Sequence, residues 1–522
     1  MSPQTQALIE AQKQTVHALR HWHVKDEEDL TVFEGFSLAK LCLLDLGLAA
    51  VRLFHRAALG FDPDGADFFA DGTEEKYGPV PEISLDWRRT DGKARAFRRF
   101  HRLARAGRRP APAKSALVIG ASSNRVLWRY WLKHRDELAL RLDFSLRNPP
   151  GLLNGVKAAL AGARLFDPEP APLTSAQARR VAAIRAALDD YRRTPPFRAL
   201  FAREGKDLSG LFCRDALVPF SAKLEGLAVK CLAFERAFLA NKPDLLLIPE
   251  DASSDMRLLS ALARKHGVPV WYLAHGFLGG GYTFDEMITC GELDADRVLA
   301  WGPVDRENFL RAGVPEERIE VVGFPAFDPF FPLPAPRPLK TVRGATLLAL
   351  AYVRPMDTTR YVDDGEERFF LETARVADRL GAAELLVKLH PGRARMDFYG
   401  RLATRLNLKC GLKFLQDEPF LNVLDRADAV IGPISTAVFE TILKGKDYFL
   451  VQPDPNDIPP PFELKNAFVA KDYDELERNL AQPRPVPRET VLRDFCGISG
   501  SEQPWHFTRR LLEKMAAAPK IG

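Results

Sequence analysis

Two stretches of this chain alternate short apolar strands with helices, and this alternation constrains the fold more than any other feature. The first stretch starts at 241 and predicts strands at 243–251, 268–276, 296–302 and 318–325. The second predicts strands at 345–352, 383–391, 412–416, 428–433 and 447–453. Because the segments between them are long enough to be helical crossovers, each stretch predicts a parallel α/β sheet. A short apolar strand at 115–122 precedes both stretches.

The segment 326–342 contains five prolines and no hydrophobic periodicity, which indicates a linker between the two stretches. Two Rossmann-like domains joined by such a linker resemble the GT-B architecture of nucleotide-sugar glycosyltransferases. The resemblance implies an α/β fold of the GT-B type with the two domains facing a cleft, and extra N-terminal helices are expected, two of them in residues 1–60. Ligands of such sheets bind at the carboxyl ends of the strands. The expected divisions are a helical and basic extension (1–110), an acceptor domain (111–330), a linker (331–342), a nucleotide-donor domain (343–500) and a C-terminal helix (501–522).

The composition is that of a globular protein with one basic segment. The 74 basic and 69 acidic residues give a net charge of +5, while ten basic residues and one acid lie between Arg88 and Arg109. Six scattered cysteines without a CxxC pair indicate reduced thiols, and no signal peptide or membrane-spanning run is apparent. We therefore expect a cytoplasmic protein, with peripheral contact at the inner face of the membrane. A Walker A loop and a GxGxxG fingerprint are absent from the sequence, which disfavours an ATPase or an NAD enzyme.

Polar residues follow two strands of the second stretch. The string Lys388, Leu389, His390, Pro391, Gly392 ends one strand with a histidine, which can donate a hydrogen bond to a phosphate or a pyrimidine carbonyl. About 45 residues later a strand runs through Gly432-Pro433 to Ser435-Thr436 and a helix. The N–H groups of a helix start and the two hydroxyls favour a phosphate. A hydrogen-bonded strand-end histidine and a plain helix cap are the structural alternatives.

The pair His390-Pro391 and Ser435-Thr436 resembles the HP and S(S/T) motifs of bacterial surface-polysaccharide transferases that use CMP- or CDP-activated donors. This group includes bacterial sialyltransferases, capsule and lipopolysaccharide transferases of 3-deoxy-manno-octulosonic acid (Kdo), and CDP-glycerol glycerophosphotransferases. The resemblance covers roughly residues 240–455. It implies that His390 meets the cytidine nucleotide and that Ser435 and Thr436 bind its phosphate, with Lys388, Pro391 and Gly392 beside them.

Three carboxylates follow the strand at 243–251, namely Glu250, Asp251 and Asp255. Glycosyl transfer needs a carboxylate as base or nucleophile, and Asp251 is the first candidate, followed by Glu250. Asp255 is expected to serve as a cap or a first-turn acid of the next helix. The alternative is that all three only cap and solvate the loop.

The next strand ends in His275, followed by a glycine-rich turn. The resemblance implies an acid/base or donor role for His275, and the alternative is an incidental histidine in a flexible turn. Arginines surround one apolar face of the helix predicted for 88–109, formed by Ala94, Phe97, His101 and Ala104. Arg98, Arg99 and Arg102 could thus bind an anionic acceptor or membrane, or the helix could simply pack through its phenylalanine stripe.

These observations predict a glycosyltransferase that moves a sugar from a CMP-activated donor, CMP-Kdo being preferred, to a bacterial surface polysaccharide or glycolipid. We expect no cofactor and no metal beyond the donor substrate, since the sequence contains no metal-ligand cluster, and no nucleic-acid partner. The alternatives are a CDP-polyol phosphotransferase and a non-catalytic glycan-binding protein of the same fold.

Overall fold

The computed structural model describes residues 3–519 apart from 44–45, 48–49, 51–52, 55–56, 58–84, 86–91, 106–113, 120–123, 146–151, 204, 251–252, 277–294, 352–364, 390–395, 434, 452–468, 484–487 and 501. Within these residues, none of the helices combines the length and the apolar character needed to cross a membrane.

The first sheet contains seven parallel strands. Its order is β7-β6-β5-β4-β1-β2-β3, so the chain starts in the middle, runs to one edge and then returns to build the other side. Leu246 of β4 pairs with Leu117 of β1 and with Val270 of β5. The strands are β1 (Lys114–Val118), β2 (Leu140–Ser145), β3 (Leu165–Phe166), β4 (Leu245–Ile248), β5 (Val270–Tyr272), β6 (Arg297–Ala300) and β7 (Ile319–Val321).

The second sheet repeats this topology with six parallel strands in the order β10-β9-β8-β11-β12-β13. Its central strand β8 pairs with β9 and β11, as Leu347 lies beside Leu385 and Ala429. In both sheets the direction of winding reverses between the first and the fourth strand, which is where ligands of doubly wound sheets bind. The strands are β8 (Thr346–Leu350), β9 (Glu384–Lys388), β10 (Gly411–Leu415), β11 (Ala429–Gly432), β12 (Asp447–Val451) and β13 (Val469–Ala470).

Helices cover the sheets, as expected for strands that are buried on both faces. Those before the second sheet are α1 (Pro3–His21), α2 (Leu38–Leu41), α3 (Gly92–Arg105), α4 (Asn124–Leu138), α5 (Leu152–Leu160), α6 (Ser175–Tyr191), α7 (Pro195–Leu200), α8 (Ser209–Phe212), α9 (Val218–Ala240), α10 (Ser254–Lys265) and α11 (Pro303–Arg311). Those after the first sheet are α12 (Gly365–Arg379), α13 (Met396–Ala403), α14 (Phe420–Arg426), α15 (Ala437–Leu443), α16 (Tyr473–Ala481), α17 (Arg488–Cys496) and α18 (His506–Ala517).

The N-terminal segment contains helices α1 and α2, in line with the prediction of two helices in residues 1–60, and adds two hairpins that the sequence analysis did not indicate. After α1 the chain forms two tight antiparallel hairpins, in which Val24 pairs with Asp29 and Val32 with Ser37, before α2 begins. Positive φ angles at Asp26, Glu27 and Glu34 make the turns. Residues of this kind are less frequent in such turns than Asn-Gly, so the sequence gives a weak hairpin signal.

The C-terminal helix α18 returns to the first sheet and is held at both ends. The carboxylate of Asp328, which follows the first sheet, accepts hydrogen bonds from the backbone N–H groups of Phe507 (3.1 Å) and Thr508 (2.7 Å). At the other end, Lys114 of β1 donates to the carbonyls of Ala516 and Ala518. A negative charge at the start of α18 and a positive charge at its end both interact favourably with the helix dipole. Two doubly wound α/β units linked in this way confirm the predicted fold class.

Candidate functional site

Three strand ends from the two sheets carry the polar residues that the sequence singled out. β4 leads into Pro249-Glu250, β5 leads into His275-Gly276, and β11 leads into the turn with Ser435 and Thr436. β4 and β11 are the fourth strands of their sheets and each lies beside the first strand. The polar residues therefore follow the strands that flank the reversal points of both sheets.

The two units approach each other at these strand ends. A β-carbon built on Gly276 would lie 3.9 Å from Oγ1 of Thr436. Gly276 belongs to the first sheet and Thr436 to the second, so the structure brings together residues that are 160 positions apart in the sequence. A ligand that contacts the hydroxyl of Thr436 therefore also lies beside the His275-Gly276 backbone.

His275 is exposed, and the carbonyl of Pro249 orients it. That carbonyl accepts a hydrogen bond from the backbone N–H of His275 (3.0 Å) and lies 3.1 Å from its ring Nδ1. Because a carbonyl oxygen can only accept, Nδ1 carries the proton in this contact. In the neutral ring Nε2 is then unprotonated and can act as a base.

The carboxylates Glu250 and Asp255 both have internal partners. Glu250 accepts hydrogen bonds from the backbone N–H (2.8 Å) and the hydroxyl (2.5 Å) of Ser253, the residue that precedes α10. Asp255 lies in the first turn of α10, as expected, and forms a buried ion pair with Lys230 of α9 at 2.5 Å. Both side chains thus stabilise the start of α10. Asp251 lies outside the described residues.

The phosphate-binding prediction falls on both described and undescribed residues. His390, Pro391 and Gly392 lie outside the described parts of the chain. Lys388 is buried, and its ammonium donates to the carbonyls of Leu389 (2.9 Å) and Gln416 (2.6 Å). Burial lowers the pKa of Lys388. In this arrangement Lys388 fastens the end of β9 to the chain that follows β10.

The turn before α15 is packed against a tyrosine. The hydroxyl of Tyr448 donates to the carbonyl of Pro433, and burial raises the pKa of this phenol. A β-carbon on Gly432 would lie 2.3 Å from the same hydroxyl, so only glycine fits there. Among the described residues the buried hydroxyl of Ser435 meets no hydrogen-bond partner with regular geometry, although its contact with Tyr448 favours the ionised phenol. Ser435 therefore lies against Tyr448 in the turn before α15.

Two charged residues near these strand ends escaped the sequence analysis. Glu440 lies in the first turn of α15, and burial alone raises the pKa of its carboxyl to about 7. Arg257 lies in the first turn of α10, and its Nε and Nη2 atoms are buried without a hydrogen-bond partner among the residues that the structure describes. A guanidinium with unmet donors favours an anion. The sequence offers one signal for these two residues, which is their distance from the motifs. Glu440 lies four positions after Thr436, and Arg257 lies two positions after Asp255.

An aromatic cluster supports both sides of the site. The indole N–H of Trp301 donates to the carbonyl of Ala274, the neighbour of His275, at 3.0 Å. The ring of Trp301 stacks on Phe324 at 3.9 Å and meets the edge of Phe439 in α15 at 6.2 Å. Trp301 thus contacts the β5 end directly and the helix after Thr436 through packing. Trp301 is therefore in contact with residues that follow β5 and with α15.

The basic helix α3 packs through the apolar face that the sequence indicated. Phe97 and His101 are buried, and a β-carbon on Gly155 of α5 would touch the Phe97 ring at 3.4 Å. Arg98 is also buried and forms a two-pronged ion pair with Asp167 at 2.6 and 2.9 Å. Arg99 is exposed, and Arg102 belongs to the helix. Arg98 thus serves the fold, while Arg99 is accessible to a partner.

Metal ligation has no support among the residues that the structure describes, because they contain no group of three or more histidine, cysteine, aspartate or glutamate side chains suited to hold an ion. The ionisable groups near the strand ends include His275, Arg257 and Glu440. These can exchange protons or bind anions and hydroxyls.

The chain matches no family model and no curated protein sequence. It is similar in structure to the UDP-GlcNAc 2-epimerase of Methanocaldococcus jannaschii in complex with UDP-GlcNAc and UDP, with 11% identity and a TM-score of 0.45 over 78% of this chain and 100% of that chain. The lipopolysaccharide outer core galactosyltransferase WaaB matches with 11% identity and a TM-score of 0.40 over 77% and 99%. Anabaena Alr3699/HepE, in complex with UDP and glucose, matches with 12% identity and a TM-score of 0.40 over 77% and 97%.

Proposed function

We propose that this protein is a glycosyltransferase that takes a sugar from a CMP-activated donor, with CMP-Kdo as the preferred donor, and transfers it to a bacterial surface polysaccharide or glycolipid. The observation that carries the proposal is the approach of Gly276 to Thr436 across the two units. A two-substrate transfer needs a donor and an acceptor to meet, and two sheets whose polar strand ends face each other provide such a place.

The second unit is the proposed nucleotide side. Ser435 and Thr436 donate hydrogen bonds to the phosphate of the donor, in line with their place in the turn between β11 and α15. His390 contacts the cytidine nucleotide, as its resemblance to the HP motif implies. The partly buried carboxylate of Glu440, one helical turn from Thr436, accepts hydrogen bonds from sugar hydroxyls.

The first unit is the proposed acceptor side. Asp251 removes the proton of the acceptor hydroxyl, whose oxygen then bonds to the anomeric carbon of the donor sugar. The bond from that carbon to the phosphate oxygen breaks, and the electron pair leaves with CMP. His275 assists proton transfer through Nε2, since its Nδ1 contacts the carbonyl of Pro249. Arg257 binds the anionic group of the donor and stabilises charge on the leaving phosphate.

A thermal-shift panel of CMP, CDP, UMP, UDP and GDP tests the donor class, because a ligand that binds only the folded state raises the melting temperature. We expect CMP to stabilise the protein most, and Ser435→Ala with Thr436→Val to remove the shift. Stabilisation by UDP or GDP with cytidine nucleotides inert would contradict the proposed donor. Incubation of the protein with CMP-Kdo and an acceptor glycan then tests transfer through the release of CMP.

A further inference from the structure

A groove of about 500 Å³ lies between α4 and α5 of the first unit. Its lining combines four cations with apolar side chains, among which are Arg129, Lys133, Arg135, Lys157, Leu132 and Leu160. No acidic residue lines it. The groove is formed by helices remote in sequence from the strand ends of the candidate site.

The cations of the groove are largely unused by the fold. In the part of the chain that the structure describes, Arg129, Lys133 and Lys157 are exposed, and none of them has an ion-pair or hydrogen-bond partner. Among the four cations, Arg135 alone has an acidic neighbour within the described residues, namely Asp136 at 3.7 Å. Three unpaired cations around one depression create a positive potential that favours an anionic partner.

The apolar part of the groove is as unusual as its charge. Leu160, the last residue of α5, is 67% exposed, which is the largest value among the exposed large apolar side chains of the described residues. A free anion would gain nothing from an exposed leucine, and its donors would be expected to enclose it. Basic side chains beside an exposed apolar one are instead the pattern of a surface that lies on an anionic membrane.

The neighbouring helix α3 adds to this surface. It packs beside α5 through Phe97 and Gly155, and its Arg95 and Arg99 are exposed. We propose that the α4–α5 groove docks on a membrane, where it binds the phosphate of an anionic phospholipid headgroup, with Leu160 at the level where the acyl chains begin. The inference is independent of the proposed glycosyl transfer, since it uses none of those residues.

Vesicle co-sedimentation tests the inference with the full chain. The probes are vesicles of phosphatidylcholine alone and vesicles with about 30 mol% phosphatidylglycerol, at low and high salt. We expect binding to the anionic vesicles only, weakened by salt. The triple variant Arg129→Glu, Lys133→Glu, Lys157→Glu should lower the partition coefficient roughly 100-fold, and Leu160→Ser should lower it roughly threefold to tenfold.

Matched variants on the same chain provide the control. Arg179, Arg193 and Arg198 are exposed arginines of α6, α7 and the turn between them, and their joint change to glutamate alters the net charge equally. Leu239→Ser changes a leucine that is 50% exposed in α9. Equal losses in groove and control variants, or the absence of wild-type binding to anionic vesicles, would overturn the inference. Complete release by millimolar glycerol phosphate would also overturn it, because the groove would then be a site for a soluble phosphate.

If the triple variant fails to fold, Leu160→Ser still tests the membrane surface, because it alters a single exposed side chain. Its melting temperature should equal that of the wild type. A Leu160→Ser variant that melts normally and binds anionic vesicles as tightly as Leu239→Ser contradicts the membrane surface.

Discussion

Gly276 of the first unit and Thr436 of the second lie so close that a β-carbon on the glycine would be 3.9 Å from the threonine hydroxyl. The carbonyl of Pro249 holds His275 on one side, and Tyr448 holds the turn before Thr436 on the other. The indole N–H of Trp301 donates a hydrogen bond to the carbonyl of Ala274, the residue before His275. The strand ends are therefore fixed by contacts on each side.

The three carboxylates near β4 should separate by their effects on rate and stability. Asp251→Asn should lower turnover by about 10²–10⁴, the usual contribution of a positioned acid/base group, with little change in melting temperature. Asp255→Asn should destabilise the protein by roughly 3–5 kcal/mol, because it leaves Lys230 buried without its counter-charge. Glu250→Gln should cost about 1 kcal/mol through the cap at Ser253. Steady-state kinetics and thermal melts measure both effects, and an active Asp251→Asn variant would exclude that residue as the base.

Arg257 should bind an anionic part of the donor. Because two of its buried nitrogens have no partner in the described part of the chain, Arg257→Gln should leave the melting temperature unchanged or raise it, while the donor KM rises roughly tenfold or more. Arg311→Gln, at an exposed arginine of α11, is the control and should change neither quantity. A stability loss with an unchanged KM would assign Arg257 to the fold.

Gly432 should be replaceable only when Tyr448 is changed too. Gly432→Ala places a methyl group 2.3 Å from the Tyr448 hydroxyl, and overpacking of this kind costs roughly 1–3 kcal/mol. The displaced turn should weaken CMP binding. Tyr448→Phe removes the clashing oxygen, so the double variant should bind CMP better than Gly432→Ala alone. Additive losses in the double-mutant cycle would show that the two positions do not interact.

Asp305 should make stability depend on pH. Burial raises the pKa of this carboxyl from 3.8 to about 7, although the backbone N–H of Trp301 donates to it. The folded state then retains a proton that the unfolded chain releases. The contribution of Asp305 to stability is therefore full below about pH 4 and falls as the pH rises to about 7, by up to roughly 4 kcal/mol. Asp305→Asn should abolish that fall and melt higher than the wild type at pH 8. Parallel melting curves from pH 4 to pH 8 in both proteins would contradict this assignment.

The sequence predicts the regular part of the fold because the strands are buried on both faces. The strands predicted from residue 241 onwards are all present, with ends that differ by a few residues. β2 was missed for a physical reason. Its sequence contains Arg141 and Asp143, which look like surface residues but form a buried pair at 2.9 and 3.1 Å. Such pairing over two positions of one strand is invisible to a hydropathy pattern.

The site is less predictable, because its contacts connect residues far apart in the chain. Strand-end position was enough to single out His275 and the turn with Thr436. No pattern of neighbouring residues shows that Lys230 pairs with Asp255. The same holds for Arg98, whose partner Asp167 lies 69 positions away. The unmet donors of Arg257 are likewise a property of packing. Sequence patterns therefore indicate the edge of each sheet where the candidate site lies and leave the partner of each charge open.

The dissociation constant of CMP for Gly276→Val, measured by titration calorimetry, tests the central claim that one ligand lies between the two units. Gly276 belongs to the first unit, and the side chain of a valine there would project toward Thr436 of the second unit. We expect this variant to bind CMP tenfold more weakly or worse than the wild type. Gly210→Val is the control, since a β-carbon there meets nothing within 4 Å, and it should bind CMP like the wild type. Equal CMP affinities for the wild type and both variants would contradict a shared site.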